Sequence, residues 1–169
     1  MKPDFFKRIG LFVFICLVQA LFLNHIHLFD CATPLLYVYF TMLFRRNYAR
    51  WAMLVWSFLL GLAMDTMNNT PGVASASMTF IAFIQPAIFS LFIQRDSPDD
   101  MKPTVRSLGI ISYFCYASIL IVVYCIVFFS LEAFNFFNWL QWLKCVGGSS
   151  VLTLALVFVI ESVRSKKLS

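Results

Sequence analysis

The sequence is short of charged residues. Only 12% of its 169 residues are Asp, Glu, Lys or Arg, whereas 61% are hydrophobic, including 20 Phe. Soluble domains are about one quarter charged because their surfaces face water. The polar stretches between the apolar runs are too short to fold separately, which excludes a second, water-soluble domain and a nucleotide-driven motor within the chain. The composition therefore predicts a single domain whose solvent is lipid.

The sequence also lacks the patterns that carry catalysis or bind metals. It contains no Ser-His-Asp order, metal-protease helix, phosphate loop or pair of intramembrane carboxylates. The five cysteines have no paired spacing, although Cys31 and Cys145 could both approach the outer face, which leaves a disulfide open. His25, His27 and Asp30 have no fixed helical spacing, which favours polar interface residues over a metal site. We expect no enzyme activity, no cofactor and no metal.

Long apolar runs are what the sequence has in abundance. A helix needs about 17–25 apolar residues to cross the hydrocarbon core of a bilayer. The candidate runs are 9–26, 28–44, 51–67, 73–93, 107–131 and 139–161. The predicted fold class is an all-α integral membrane protein, a six-helix transmembrane bundle in which residues 1–169 form one domain.

The basic residues predict the orientation of this bundle. If both termini are cytoplasmic, all but one of the 13 Lys and Arg residues fall on the inner side, and only Lys144 falls on the outer side. Basic residues resist translocation and therefore mark the cytoplasmic side. Because the basic clusters flank the spans and no aromatic stacking platform lies between the clusters, they indicate contact with anionic lipid head groups and not nucleic acid. Residues assigned this role include Lys7, Arg8, Arg45, Arg46, Arg50, Arg106, Arg164, Lys166 and Lys167.

The most informative polar residue is Asp65, near the end of the third run. A carboxylate in a lipid-embedded helix is unfavourable by about 2.5–3.5 kcal/mol at the helix centre and by less near an interface, so another group must compensate. Asp65 could pin a hairpin by bonding the following turn or capping the fourth helix, could contact a partner protein, or could bind an ion or proton. Gly61, one turn earlier, would allow another backbone to approach closely. The candidate segment comprises Gly61, Asp65, Asn68, Asn69, Pro71, Gly72 and Ala76.

Small residues gather in two of the predicted helices. Gly72 and Ala76 form a small-xxx-small pattern at the start of the fourth, and the sixth carries Gly147, Gly148, Ser149 and Ser150. Such residues let helices pack backbone to backbone, either inside the bundle or against another membrane protein. The second cluster could also unwind its helix at mid-membrane, as transporter binding sites do. Pro86 predicts either a static kink or a hinge in the fourth helix.

In this layout the sequence resembles the rod shape-determining protein MreD family. The resemblance rests on the size, the six short helices, the basic N-terminus, and Gly61-x-x-x-Asp65 followed by Pro71-Gly72 and a small-residue helix start at 74–76. The layout covers essentially the whole chain, whereas the motif covers that segment alone. The Phe-rich helices and the turn at 68–71 resemble members from Bacteroidota-type bacteria.

The resemblance implies a bacterial inner-membrane scaffold of the cell-elongation machinery. Members of the family work with the periplasmic scaffold MreC, the actin-like MreB, and the glycosyltransferase RodA with its partner transpeptidase. They help position peptidoglycan synthesis along the side wall and maintain cell shape. The expected mechanism is that the bundle docks the membrane helix of MreC, with Asp65 and its turn fixing the outer end of the interface.

The family's fold is similar to that of the substrate-binding membrane subunits of energy-coupling-factor transporters, so a vitamin or small-molecule transporter subunit is the alternative. A lipid-handling or assembly factor is a third reading. A vitamin binder needs a cavity lined by convergent polar groups, for which the sequence offers Asp65, Asn68, Asn69, Gln85, His25 and His27. A scaffold needs an exposed helix face of small and aromatic residues, for which the sequence offers Gly61, 74–77, Tyr113, Phe114, Tyr116 and Tyr124.

Overall fold

The computed structural model describes residues 2–21, 35–46, 48–70, 72–93, 103–132 and 139–167. Within those ranges the regular structure is helical, as the sequence predicted. In chain order the helices are α1 (Lys2–Leu21), α2 (Val38–Met42), α3 (Arg50–Asn68), α4 (Val73–Phe92), α5 (Val105–Leu108), α6 (Ile110–Glu132) and α7 (Trp139–Lys167).

Three helices in the described ranges are long and apolar enough to cross a membrane: Val73–Phe92, Ile110–Glu132 and Trp139–Arg164. The helical fold class is confirmed, and this length and apolarity agree with the prediction of a membrane protein. The apolar part of α1 that is described, Ile9–Gln19, is shorter. The 19 residues of α3 include polar groups near both its ends, which shorten the apolar stretch between them. The count of six spans therefore stays a prediction.

The segment predicted as the second span, 28–44, is described from residue 35 onward, and there the α-helix is limited to Val38–Met42. Ahead of it the chain forms tight turns, in which the amides of Val38 and Tyr39 bond the carbonyls three residues back. The Leu35 amide donates to Thr153 Oγ1 at 3.1 Å, and the Leu36 amide donates to Gln19 Oε1 at 3.1 Å. Because side chains of α1 and α7 satisfy these two amides, neither needs a carbonyl from a preceding helical turn.

This short segment lies at the centre of the bundle. Every residue from 35 to 42 is buried, and Tyr37 and Val38 are 0% exposed. Contacts with α1, α3, α4 and α6 surround α2. The aromatic rings of Phe12, Phe40 and Trp56 meet edge to face and join the segment to its neighbours on α1 and α3. The core of the described part is therefore built around residues 35–44.

Two other elements differ in detail from their predicted bounds. The predicted helix 107–131 is divided at Gly109, whose φ of +82° favours glycine, into α5 and α6. Thr104 and Ser107 form a capping box that starts α5. The helix predicted at 139–161 continues to Lys167 as α7. It passes without interruption through 147–150, so the alternative of an unwound segment there is wrong.

Large apolar side chains cover the outward faces of the long helices. Leu91 is 79% exposed and Ile111 is 81% exposed. Soluble monomers rarely present contiguous apolar patches of this kind. Other examples, drawn from α1, α3, α4 and α7, are Phe14, Val55, Phe83 and Val151. Such a surface suits a lipid environment, which agrees with a membrane location.

Candidate functional site at the α3–α4 hairpin

The carboxylate of Asp65 lies between the end of α3 and the start of α4. Asp65 Oδ1 accepts hydrogen bonds from the Ala74 amide at 2.8 Å and from the Thr70 hydroxyl at 3.1 Å. Asp65 Oδ2 accepts from the Ser75 amide at 2.9 Å. The residue is only 6% exposed. Both oxygens of the carboxylate are therefore engaged by the hairpin itself.

These bonds satisfy backbone amides in the first turn of α4. The first amides of any helix have no partner within the helix and carry partial positive charge. The residue at the N-cap position of α4 is Gly72, with φ of +84° and no side chain to cap those amides. Asp65 supplies the cap from the preceding helix, and its negative charge stabilises the positive end of α4.

The same residue also ends helix α3 through its backbone. The Asp65 carbonyl accepts the amide of Asn69, which adopts the left-handed conformation with φ of +53°, and the amide of Thr70 at 3.2 Å. Asparagine tolerates this conformation better than most residues, which suits it to a helix C-terminus. The side chain of Asp65 thus starts one helix while its carbonyl ends the other.

Gly61 lies one turn before Asp65 at the closest approach of the two backbones. A Cβ atom added to Gly61 would lie 2.7 Å from the Ala74 carbonyl oxygen and 2.7 Å from the Ser75 nitrogen, and would also overlap Ser75 Cα. Those atoms belong to the backbone of α4 and have little freedom to move. No other residue fits at position 61 without separating α3 from α4.

The structure brings most of the predicted segment into this hairpin. Gly61 and Asp65 face α4, Asn68 is the last residue of α3, and Gly72 precedes α4. Ala76 is exposed, and its amide donates to the Gly72 carbonyl at 3.1 Å. Pro71 lies outside the described residues.

The small residues of α7 take no part in the hairpin. Gly147 is exposed, and no described atom lies within 4 Å of a Cβ added there, so it makes no close backbone contact. Ser149 and Ser150 are buried, and the Ser150 hydroxyl donates to the Gly147 carbonyl at 2.9 Å. Gly148 is partly buried. At this cluster α7 therefore packs through Ser149 and Ser150, and not through Gly147.

The basic residues lie in or near the first or last turns of their elements, and their assigned contact with lipid head groups stays a prediction. Arg50 begins α3, Arg106 belongs to α5, and Arg164 lies in the last turns of α7. A hydrogen bond of 3.4 Å from the Val105 amide to Glu161 Oε1 brings α5 to the end of α7. The residues Lys7, Arg8, Arg45, Arg46, Lys166 and Lys167 lie near the ends of α1, α2 and α7. The orientation of the bundle in the membrane stays a prediction.

Several buried hydrogen bonds were not predicted from the sequence, which named Gln85, Tyr116 and Tyr124 without these partners and did not single out Gln19, Tyr37 or Thr153. Beyond Gln19 and Thr153, which bond the start of the α2 segment, the hydroxyls of Tyr37 and Tyr124 bond each other, and Gln85 Nε2 donates to the Tyr116 hydroxyl at 2.9 Å. The sequence signal for these bonds was a single polar side chain within an apolar run, because a buried polar atom needs a hydrogen-bond partner. Sequence spacing does not pair such atoms across different helices.

The structure gives no support for a metal site among the residues it describes. No group of three or more His, Cys, Asp or Glu side chains there is arranged to hold an ion. His25, His27, Asp30 and Cys31 lie outside the described ranges. The polar turn predicted with these residues therefore stays a prediction, and the disulfide between Cys31 and Cys145 stays open.

Comparison with known proteins identified no relative. No family model matches the chain, and neither a curated protein nor a solved structure matches it.

Proposed function

We propose that the protein is a non-enzymatic inner-membrane scaffold of the MreD type, which binds the membrane helix of MreC and helps organise side-wall peptidoglycan synthesis. MreB, RodA and its transpeptidase would be reached directly or through MreC. The proposal is supported by the resemblance in layout and by the Gly61-x-x-x-Asp65 hairpin. Three apolar helices of spanning length agree with a membrane location.

The observation that carries the proposal is the internal use of polar side chains. A vitamin-binding subunit would keep convergent polar groups free to meet its ligand. Here Asp65 bonds the α4 amides and Gln85 bonds Tyr116. Large side chains, among them Tyr116, Tyr124 and Phe89, are completely or almost completely buried in the interior. This arrangement favours a packed scaffold over the substrate-binding subunit of a transporter.

The buried residues restrict where a partner helix would bind. Gly61 packs on α4, and Tyr113, Tyr116 and Tyr124 are buried, so these residues act inside the bundle and not as a contact face. The outward face of α3 is apolar and exposed over about two turns, at Val55, Phe58, Leu59 and Leu62. In this proposal the Asp65 cap holds α3 and α4 rigidly together, and the outward face of α3 meets the helix of MreC.

Affinity purification of the tagged protein from its native membrane, with mass spectrometry of the partners, tests the proposal. We expect to recover MreC, and we expect Leu62→Trp to reduce that recovery. Val151→Trp is the matched control, because Val151 is an exposed apolar residue on α7 at 66% exposure. Recovery of a membrane coupling protein with ATPase subunits would instead identify a transporter. Equal recovery of MreC from both variants would rule out the α3 face.

A further inference from the structure

Glu161 is a buried carboxylate at the opposite end of the bundle from Asp65. It is 3% exposed and lies in α7, two turns before the end of the helix. Glu161 Oε2 accepts a hydrogen bond from the Tyr39 hydroxyl at 2.8 Å, and Glu161 Oε1 accepts from the Val105 amide at 3.4 Å. This one side chain therefore joins α2, α5 and α7.

The contacts of Glu161 differ in strength. The bond from Tyr39 is short, whereas the bond from Val105 is longer than the usual 2.7–3.2 Å range for an amide donor. Arg164 lies 3.8 Å from Glu161 Oε2, too far for a hydrogen bond, and donates instead to the Tyr39 hydroxyl at 3.2 Å. It supplies the compensating positive charge that a buried carboxylate needs. The connection to α5 is the weakest of the set.

Tyr113 provides a donor that the structure leaves unused. It is 3% exposed, and its hydroxyl has no hydrogen-bond partner among the described residues. Leaving a buried hydroxyl unpaired is unfavourable. Tyr113 lies in the first turn of α6, where its amide bonds the Gly109 carbonyl at 3.0 Å, and α6 packs against both α5 and α7, the helix that carries Glu161. A spare donor is thus available on the helix that follows α5.

We propose that Glu161 is the pivot of a two-state latch that holds α5 against α7. In the closed arrangement it accepts from Tyr39 and from the Val105 amide, as observed. In the open arrangement it keeps Tyr39 and accepts from the Tyr113 hydroxyl in place of Val105. The exchange conserves the number of bonds to Glu161. After the exchange, the donor without a partner is the Val105 amide and no longer the buried Tyr113 hydroxyl. The Val105 amide lies at the half-buried start of α5, where water can reach it.

The chain between α5 and α6 permits this movement. Gly109 alone separates the two helices, and with φ of +82° it adopts a conformation that residues with a Cβ avoid. Glycine also has the freedom to adopt others, so α5 can turn away from α7 without unfolding α6. The latch uses no residue of the α3–α4 hairpin and does not depend on the function proposed above.

Hydrogen–deuterium exchange of the amides at 105–109, in the full-length protein in lipid nanodiscs, tests the latch. Tyr113→Phe removes the spare donor and disfavours the open arrangement. We expect exchange of these amides to slow by about two- to tenfold, the equivalent of one ordinary hydrogen bond. Glu161→Gln removes the charge that holds Val105, and we expect exchange there to accelerate.

Tyr116→Phe is the matched control, because Tyr116 lies three residues further along α6 and its hydroxyl is already bonded by Gln85. We expect it to leave exchange at 105–109 unslowed. Amides at 120–124 in the middle of α6 report global opening and separate it from local release of α5. Unchanged or faster exchange at 105–109 in Tyr113→Phe would overturn the latch. This near-isosteric variant decides the matter even if Glu161→Gln fails to fold.

Discussion

Replacing Asp65 by alanine is the most direct test of the hairpin. The substitution removes the acceptors of three hydrogen bonds, from the Ala74 amide, the Ser75 amide and the Thr70 hydroxyl. The two amides belong to the first turn of α4 and have no acceptor inside that helix. Since their surroundings are buried, water replaces the lost acceptor poorly. We expect α3 and α4 to remain helical while their connection loosens.

The magnitude follows from the bonds that are lost. Loss of an N-cap side chain costs about 0.5–2 kcal/mol, and a buried donor left without an acceptor costs about 1–3 kcal/mol. Removing the carboxylate also relieves part of its own cost in a lipid-embedded helix, which lowers the net effect. We expect Asp65→Ala to reduce the free energy of unfolding by about 2–4 kcal/mol. Asp65→Asn retains one acceptor oxygen, and we expect about half that loss.

Reversible unfolding in mixed micelles of dodecyl sulfate and a mild detergent, followed by far-ultraviolet circular dichroism, measures the change. Thr66→Ala is the control, because Thr66 is the next residue of the helix, is exposed, and bonds only the Ala63 carbonyl at 2.8 Å. It is expected to stay within about 0.5 kcal/mol of the wild type. If Asp65→Ala were equally close to the wild type, the cap would not stabilise the hairpin and our reasoning would fail.

Three further predictions use the same unfolding measurement. Gly61→Ala is expected to lower the free energy of unfolding by about 1–3 kcal/mol because the added Cβ meets the α4 backbone. Gly147→Ala is the control: its Cβ enters open space, so we expect it to be neutral or to stabilise by up to about 1 kcal/mol. Equal effects of the two substitutions would contradict the close contact at Gly61. Thr153→Val leaves a buried amide unpaired and is expected to cost about 1–3 kcal/mol, while Thr153→Ser keeps the acceptor and serves as its control. In a double-mutant cycle, Gln85→Leu and Tyr116→Phe are expected to show a coupling of about 0.5–1.5 kcal/mol, and additive effects would mean that their hydrogen bond contributes nothing.

The sequence predicted the long helices well because a helix that crosses lipid is a nearly continuous run of apolar residues. Runs of apolar residues set α4, α6 and α7 to within a few residues at most ends. Prediction was weaker where backbone groups find partners outside their own helix. The turns before α2 depend on Gln19 and Thr153, which lie far away in the sequence. The break at Gly109 depends on a backbone conformation that hydropathy does not encode.

For the candidate site, a single charge in an apolar helix was a strong signal. Asp65 was identified from the sequence because a carboxylate there requires compensation, and the structure supplies it within the hairpin. Glu161 was not among the candidate site residues. Its burial arises because Tyr39 and Val105 converge on it from separate parts of the chain, beside Arg164 of the same helix. Such convergence is a tertiary property that no local pattern contains.

The hairpin geometry also separates two effects that partner-binding experiments would otherwise confuse. Because Asp65 bonds α4 internally, we expect Asp65→Ala to lower the amount of correctly folded bundle and, with it, recovery of the proposed partner MreC, even without any direct contact. Recovery must therefore be expressed per molecule of folded protein. If Asp65 acts only as the cap, that ratio stays near the wild-type value in Asp65→Ala and falls in Leu62→Trp, whose side chain points outward at 44% exposure. A ratio that falls for Asp65→Ala alone would mean that the carboxylate itself is presented to the partner, and the hairpin would have to open when MreC binds.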